Sequence, residues 1–395
     1  MKRACLIYGL LTVLAVAIGL LTAVEVQWTE LVERDGSQKM IQASRLAREW
    51  FLRVDEMKQA KGIAGEGDKH AVYQAMIGDD YTPMTTTLGS LEAKEIAANP
   101  DFAAVLVRLL TEAGIDSTGT VGVTLSGSFP SLAVCALAAM QTIGTDAVIL
   151  SSLGSSTFGA NQEYATWLDM EHWLAVYGGC RYTSRLVTLG AENDNGGGLI
   201  EEGIDWMQAA CERNGVSLYV PETLEESINT KMAILDDADV DLLINIGGNQ
   251  ASLGPGPQAL LIPNGLQTTY WPVVDSGLGI VNRLAQRQIP FIHLLGVKDL
   301  ASQYGIPFGT PASSAPAVDV YMIRRVSIPA VVTSIGIILL MLVILHRVLH
   351  ELTVHPSEPI SEIPFFKKYC TIKGNNIMNY LPTKKHGFHD GRSNV

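Results

Sequence analysis

Hydrophobic and polar positions change period several times along the chain. Met40, Ala43, Ala47, Trp50, Val54 and Met57 recur at steps of three and four, the spacing of one helix face. A stripe this short packs on its own domain more readily than it makes a self-associating stalk. Asn99-Pro100-Asp101 then reads as a turn and cap. Phe102, Val105, Leu106, Leu109 and Leu110 mark a second helix that stops near Gly114. Beyond it, short apolar runs alternate with helical patterns. Strands are expected at 121–125, 147–150, 186–189, 217–220, 241–246 and 291–295, and helices at 132–141, 164–177, 200–214, 224–237 and 278–288. This alternation predicts an α/β fold, a mostly parallel sheet with helices on both faces.

Two segments break the pattern by carrying no charge over twenty positions, 5–24 and 326–345. Each matches the thickness of a bilayer core as a helix, about 30 Å. The expected fold is therefore flanked by N- and C-terminal transmembrane helices. Lys2 and Arg3 before the first run also suit a signal peptide, but Leu21 is bulky where cleavage after Ala23 wants a small residue. A retained anchor fits better. Basic residues set orientation. Lys2 and Arg3 precede the first run, and Arg347, Lys367, Lys368, Lys373, Lys384, Lys385 and Arg392 follow the second. Both termini are expected in the cytoplasm and the intervening domain outside; Arg324 and Arg325 at the outer edge of the second run count against this. The expected organisation is an anchor at 1–24, a juxtamembrane helix and Gly-rich linker at 25–69, and an α/β domain at 70–310. A linker at 311–325, a second span at 326–346 and a basic cytoplasmic tail at 347–395 complete it.

Between the spans, residues 25–323 hold 17 Lys and Arg against 36 Asp and Glu, a net of −19. That balance disfavours nucleic acid, which needs basic surface. Three of the five cysteines, Cys135, Cys180 and Cys211, belong to the domain. Cys135 reads as a buried thiol, and Cys180 and Cys211 can pair if the domain lies outside. No C-x-x-C spacing suggests a metal, and no Walker or dinucleotide motif suggests a nucleotide: Gly277-x-Gly279 lacks its third glycine. No cofactor and no metal are expected.

Three expected strands end in small polar residues. The first leads into Ser126-Gly127-Ser128 before Phe129-Pro130, the second into Ser151-Ser152-Leu153-Gly154-Ser155-Ser156, the third into Gly247-Gly248-Asn249-Gln250 with Ser252. In open α/β sheets, ligands bind beyond the carboxyl ends of strands. Small side chains there let an anion reach the amides that start the next helix. The candidate ligand-binding residues are Ser126, Gly127, Ser128, Ser155, Ser156, Gly247, Gly248 and Asn249. The same residues also serve as ordinary turns and caps. Ser126, Ser128 and His293 are catalytic candidates. Ser128, Asp169 and His293 follow a hydrolase order, but the flanking glycines of a nucleophile elbow are missing. His293 reads equally as a hydrogen-bonded core histidine. Asp169 and His172 share a helix face, which reads as a solvated face. Residues 247–277, rich in Gly and Pro, are expected to form a lid, an insertion or a binding loop.

Seven stretches taken together, YTPMTTTLGSLEAK, NPDFAAVLVRLLTEAG, VGVTLSGSFPSL, ILSSLGSSTFGAN, TWLDME, INIGGNQASLG and IPFIHLL, resemble the poly-gamma-glutamate system protein family. That family accompanies the synthesis genes for bacterial poly-γ-glutamate capsule. The resemblance spans roughly residues 70 to 310, with LSGSFP and SSLGSS its most specific parts. It implies a process and carries no catalytic residues over. The expectation is a membrane-anchored accessory protein in poly-γ-glutamate biosynthesis, export or handling, with a carboxylate-binding α/β domain. Its partners would be poly-γ-glutamate or another carboxylate-bearing ligand, the synthase subunits and the membrane. Two alternatives stand beside it: a serine-dependent amide hydrolase or γ-glutamyl transferase, and a non-catalytic scaffold for the synthase.

Overall fold

A computed structural model describes residues 29–63, 73–269, 279–307 and 318–354, with scattered positions between 9 and 19. Most of the expected first span, most of the Gly-rich break at 62–70, Gly277, the expected linker up to 317, the tail beyond 354, and Cys5 and Cys370 lie outside the described residues. The chain divides into two compact units, one of Glu33–Ile323 and one of Met1–Val32 with Arg324–Val395.

The larger unit is α/β. Helix α1 (Ser37–Ala60) buries all six residues of the apolar stripe. It packs against α3 (Asp101–Glu112) and α4 (Pro130–Ile143), so the stripe is core and no stalk is formed. The compact unit thus takes in the helix that the expected organisation set apart at 25–69. Trp50 anchors α1 by donating from Nε1 to the Gly178 carbonyl at 2.8 Å. Asp101 accepts from Ser44 at 2.7 Å and from Tyr321 at 2.6 Å.

The six-stranded sheet holds β2 (Thr120–Ser126), β3 (Asp146–Ser152), β5 (Ser184–Thr188), β6 (Leu242–Ile246), β7 (Gly265–Gln267) and β8 (Phe291–Leu294). Its order is β7-β8-β6-β2-β3-β5, parallel except for β7 at one edge. Alternate side chains of each strand point to opposite faces. Val121, Val123, Leu125, Leu242, Ile244 and Ile246 therefore join the cluster under α1, α3 and α4. Leu150, Leu243 and Phe291 join the cluster under α7 (Leu224–Asp237) and α9 (Ile280–Gln286). Helix α4 is buried along nearly its whole length. Its alanines let it sit close to the sheet; Pro130 opens it at the first turn and Gly144 closes it at φ 94.

Four local expectations differ. Residues 217–220 form no strand: Leu218 makes a single bridge to Val187, Val220 is exposed, and Pro221 ends the run. Helix α5 (Trp167–Tyr177) begins at Trp167 rather than 164, because Thr166 and Asp169 close a capping box there. Asp169 lies on no solvated face. It is buried, paired with Arg213 at 2.7 Å, and held near pKa 2: burial opposes its charge, but Arg213, Thr166 and Lys61 outweigh it. Of the two, His172 is exposed. Cys180 and Cys211 are free thiols in separate apolar clusters, buried like Cys135.

The smaller unit contains α11 (Ile328–Val354). Its stretch Val331–Glu351, 21 residues of mean hydropathy 2.3, is long and apolar enough to cross a membrane, and is the one such helix among the described residues. Ile335, Leu339, Leu340 and Val343 are exposed along it, as side chains facing lipid would be.

Candidate functional site

Chain order runs outward from β2 through β3 to β5, then returns to β6 on the other side of β2 and on to β8. The sheet therefore has a topological switch point between β2 and β6, where the connections diverge and leave a crevice. The three small-polar loops meet there. Ser126, Ser128, Gly154, Ser156, Gly248 and Asn249 line one cleft of about 720 Å³, within the range of small-molecule sites. Short strands β1 (Thr85–Thr87) and β4 (Ser155–Ser156), paired in parallel, build one wall. The segment after β6 contributes Leu253, Gly254, Gly256 and Ala259 to the lining, so the described part of 247–277 walls the cleft and, through β7, supplies an edge strand.

Not every candidate faces the cleft. Gly127, Ser155 and Gly247 lie behind its lining. A Cβ on Gly127 would stand 2.7 Å from the Leu153 carbonyl, so this glycine lets the first two loops touch. Gly247 sits at φ +86, and a Cβ there would lie 2.5 Å from Ser126 Oγ; it lets the β6 loop close on the β2 loop. Ser155 is fully buried, donating to the carbonyls of Gly127 and Ser156 at 3.0 and 2.9 Å. His293 is a core histidine of β8. Its Nδ1 lies 2.9 Å from Asn245 Nδ2, and burial lowers its pKa to about 4. Asp169 is committed to Arg213 and Thr166. The Ser128–Asp169–His293 order therefore makes no triad.

The residue that ties the loops together is Lys94 of helix α2 (Leu91–Ala97). Its Nζ donates to Ser156 Oγ at 2.8 Å and to the Ser128 carbonyl, and lies 3.7 Å from the centre of the Phe129 ring. It makes no ion pair among the described residues, and burial lowers its pKa to about 7. Ser128 Oγ accepts from the Ser156 amide at 3.0 Å. Ser126 Oγ is buried without a hydrogen-bond partner among the described residues. Apolar pattern hides Lys94 inside "LEAKEIA", which reads as a solvated turn; its spacing of three from both Leu91 and Ala97 is the available sign that it shares their stripe.

A second lysine lies beneath the floor. Lys231 of α7 pairs with Asp194 at 2.6 Å, both essentially inaccessible. Asp194 also accepts from Ser152, Thr188, Asn249 and Ser227. Burial opposes its charge, but Lys231 and these hydrogen bonds hold its pKa below the usual range. Asp194 sits at φ 60 in a loop where Ala191 and Asn193 also have positive φ, a concentration of backbone strain typical of functional loops. The network joins the ends of β3 and β5 to Asn249. On α7, Ser227, Lys231 and Leu235 recur at steps of four, so the inward position of Lys231 was legible; its partner in the loop was not.

A second hollow of about 820 Å³ lies by the amino ends of β3 and β5, lined in part by Arg181, Arg185 and Asp237. Arg181 is already bonded to Tyr182 and the Thr145 carbonyl. The strand-end rule favours the switch-point cleft. Among the described residues no group of three His, Cys, Asp or Glu side chains could hold a metal ion. No family model, curated protein or solved structure matches the chain.

Proposed function

We propose that this is a membrane-anchored accessory protein of poly-γ-glutamate biosynthesis, export or handling, whose α/β unit binds a carboxylate-bearing ligand, such as a γ-glutamyl chain end, in the switch-point cleft. The reading keeps two transmembrane segments, cytoplasmic termini and an extracytoplasmic α/β unit. The observation that carries the binding reading is Lys94, a buried cation without a carboxylate partner among the described residues, on the wall where three small-polar loops meet. An uncompensated buried charge is costly, and an anion entering the cleft would relieve that cost. It would also overcome locally the repulsion expected from an acidic unit, which solvent screens over about 8 Å. The Ser126 hydroxyl, which lines the cleft and has no hydrogen-bond partner among the described residues, supplies a further donor.

The test is calorimetric titration of the full chain in detergent with γ-glutamyl-glutamate. Protonated Lys94 strengthens binding without being required for it, so affinity should fall as pH rises above about 7, by up to tenfold per unit until it levels at the weaker affinity of the neutral amine. The ionisable groups around Lys94 are Glu92 and Glu95 of its own helix, Lys298 and Asp299 of α10 (Val297–Tyr304), Cys135 of α4 and Glu192 on the cleft rim. Lys298 is engaged with Glu92. Lys94→Met should weaken binding by roughly 10- to 100-fold, the worth of a charged hydrogen bond. Equal binding by both proteins between pH 6 and 9 would dismiss the reading.

A further inference from the structure

The same cleft contains the parts of an acyl-transfer centre. We infer that Ser156 and Lys94 form a serine–lysine dyad that cleaves or transfers the acyl group of a carboxylate-bearing amide bound in this cleft. The inference rests on the binding reading above for its substrate class. It moves the nucleophile away from Ser126 and Ser128, to a serine with a base in contact.

Four observations carry it. Lys94 Nζ lies 2.8 Å from Ser156 Oγ, within the reach a nucleophile–base pair requires. The Ser128 carbonyl accepts from the same Nζ. In the neutral amine, one N–H held there leaves the lone pair free to accept the Ser156 proton, so that carbonyl plays the orienting part of a third member. Ser156 is fixed from both sides: its amide donates to Ser128 Oγ, and the chain beyond it turns through Phe158 at φ 60, whose amide donates to the Asp79 carbonyl at 2.8 Å. A bulky residue in this backbone region is a true outlier, and such strain gathers at working sites. Ser156 lines the cleft, and only a glycine fits beside its hydroxyl. Residue 89 is glycine, and a Cβ there would stand 3.0 Å from Ser156 Oγ. A buried lysine with a pKa of about 7 is available as a base at neutral pH.

The step balances as follows. Ser156 Oγ bonds to the amide carbonyl carbon while its proton passes to Lys94 Nζ. The C–N bond then breaks, and the Lys94 ammonium returns that proton to the departing amine. The resulting ester on Ser156 is attacked by water, or by another amine, with Lys94 again taking and returning one proton. Water gives hydrolysis and an amine gives transfer. The Ser126 hydroxyl is a spare donor for the oxyanion or for the substrate carboxylate.

The experiment uses the full chain in detergent. It measures p-nitroaniline release from γ-glutamyl p-nitroanilide and, by peptide mass mapping, the site labelled by a serine-reactive fluorophosphonate. The expected result, at substrate well below saturation where the rate reports the free enzyme's base, is release that rises about tenfold per unit up to pH 7 and then levels, with the label on Ser156. Ser156→Ala and Lys94→Met abolish both. Lys94→Arg, whose guanidinium stays protonated, also abolishes release while keeping a positive charge. The map on the unaltered chain depends on no variant folding. A label on Ser126 or Ser128 overturns the dyad. No label and no release, with γ-glutamyl-glutamate still bound by the unaltered chain, overturns the dyad and leaves the binding reading standing. Loss of binding as well overturns both.

Discussion

Lys94 makes a prediction about stability that does not depend on any ligand. In the unfolded chain its amine has the ordinary lysine pKa of 10.5, whereas burial in the folded unit lowers it to about 7. Below pH 7 both states hold the proton, and the cost of burying the charge is full and constant. Between pH 7 and 10.5 the unfolded state keeps a proton that the folded state has released, so stability rises with pH. One pKa unit corresponds to about 1.4 kcal/mol. The rise is therefore about 1.4 kcal/mol per pH unit, and about 5 kcal/mol over the whole window. Lys94→Met removes this slope and leaves every other titration in place, so the difference between the two proteins isolates the one group. The assay is urea unfolding of the full chain in detergent at pH 6, 7, 8 and 9, followed by the fluorescence of tryptophans that include the buried Trp50 and Trp167. The unaltered protein should gain roughly 2–3 kcal/mol on the variant between pH 7 and 9, and nothing between 6 and 7 beyond the onset of titration. Parallel pH profiles would refute the reasoning, because Lys94 would then titrate as a solvated lysine and could serve neither as a poised base nor as a pH-gated anion site.

Two further outcomes follow from the cleft. Asp194→Asn leaves Lys231 charged and uncompensated, which should cost about 3–5 kcal/mol in the same denaturation assay and weaken ligand binding through Asn249. An unchanged unfolding midpoint would mean the pair is dispensable. Glu192→Gln removes an exposed negative charge from the cleft rim and should tighten γ-glutamyl-glutamate binding about twofold at low salt, with the gain fading as salt rises; a salt-independent change would point to a contact rather than a field.

Local order was written in short-range pattern. The stripe of α1 and the alternation of helices with β2, β3, β5, β6 and β8 followed from apolar periods of three to four and two residues, because each element must present one face to a core whatever its neighbours are; β4 and β7 did not. The apolar length of 331–351 follows from composition in the same way. The loops at 126–128, 154–156 and 247–249 were marked by small polar residues at strand ends. Three things were decided only in three dimensions. Strand order placed β6 beside β2 across 121 residues, which brought the loops to one crevice and sent His293 and Asp169 elsewhere. Desolvation set Lys94, like Lys58, apart from solvated lysines, and burial depends on what the rest of the chain stacks above a residue, not on its neighbours in sequence. Pairing of Lys231 with Asp194 joined a helix stripe to a glycine-rich loop 37 residues away. Period and composition are properties of a segment, whereas the electrostatic state of a side chain belongs to the packed molecule.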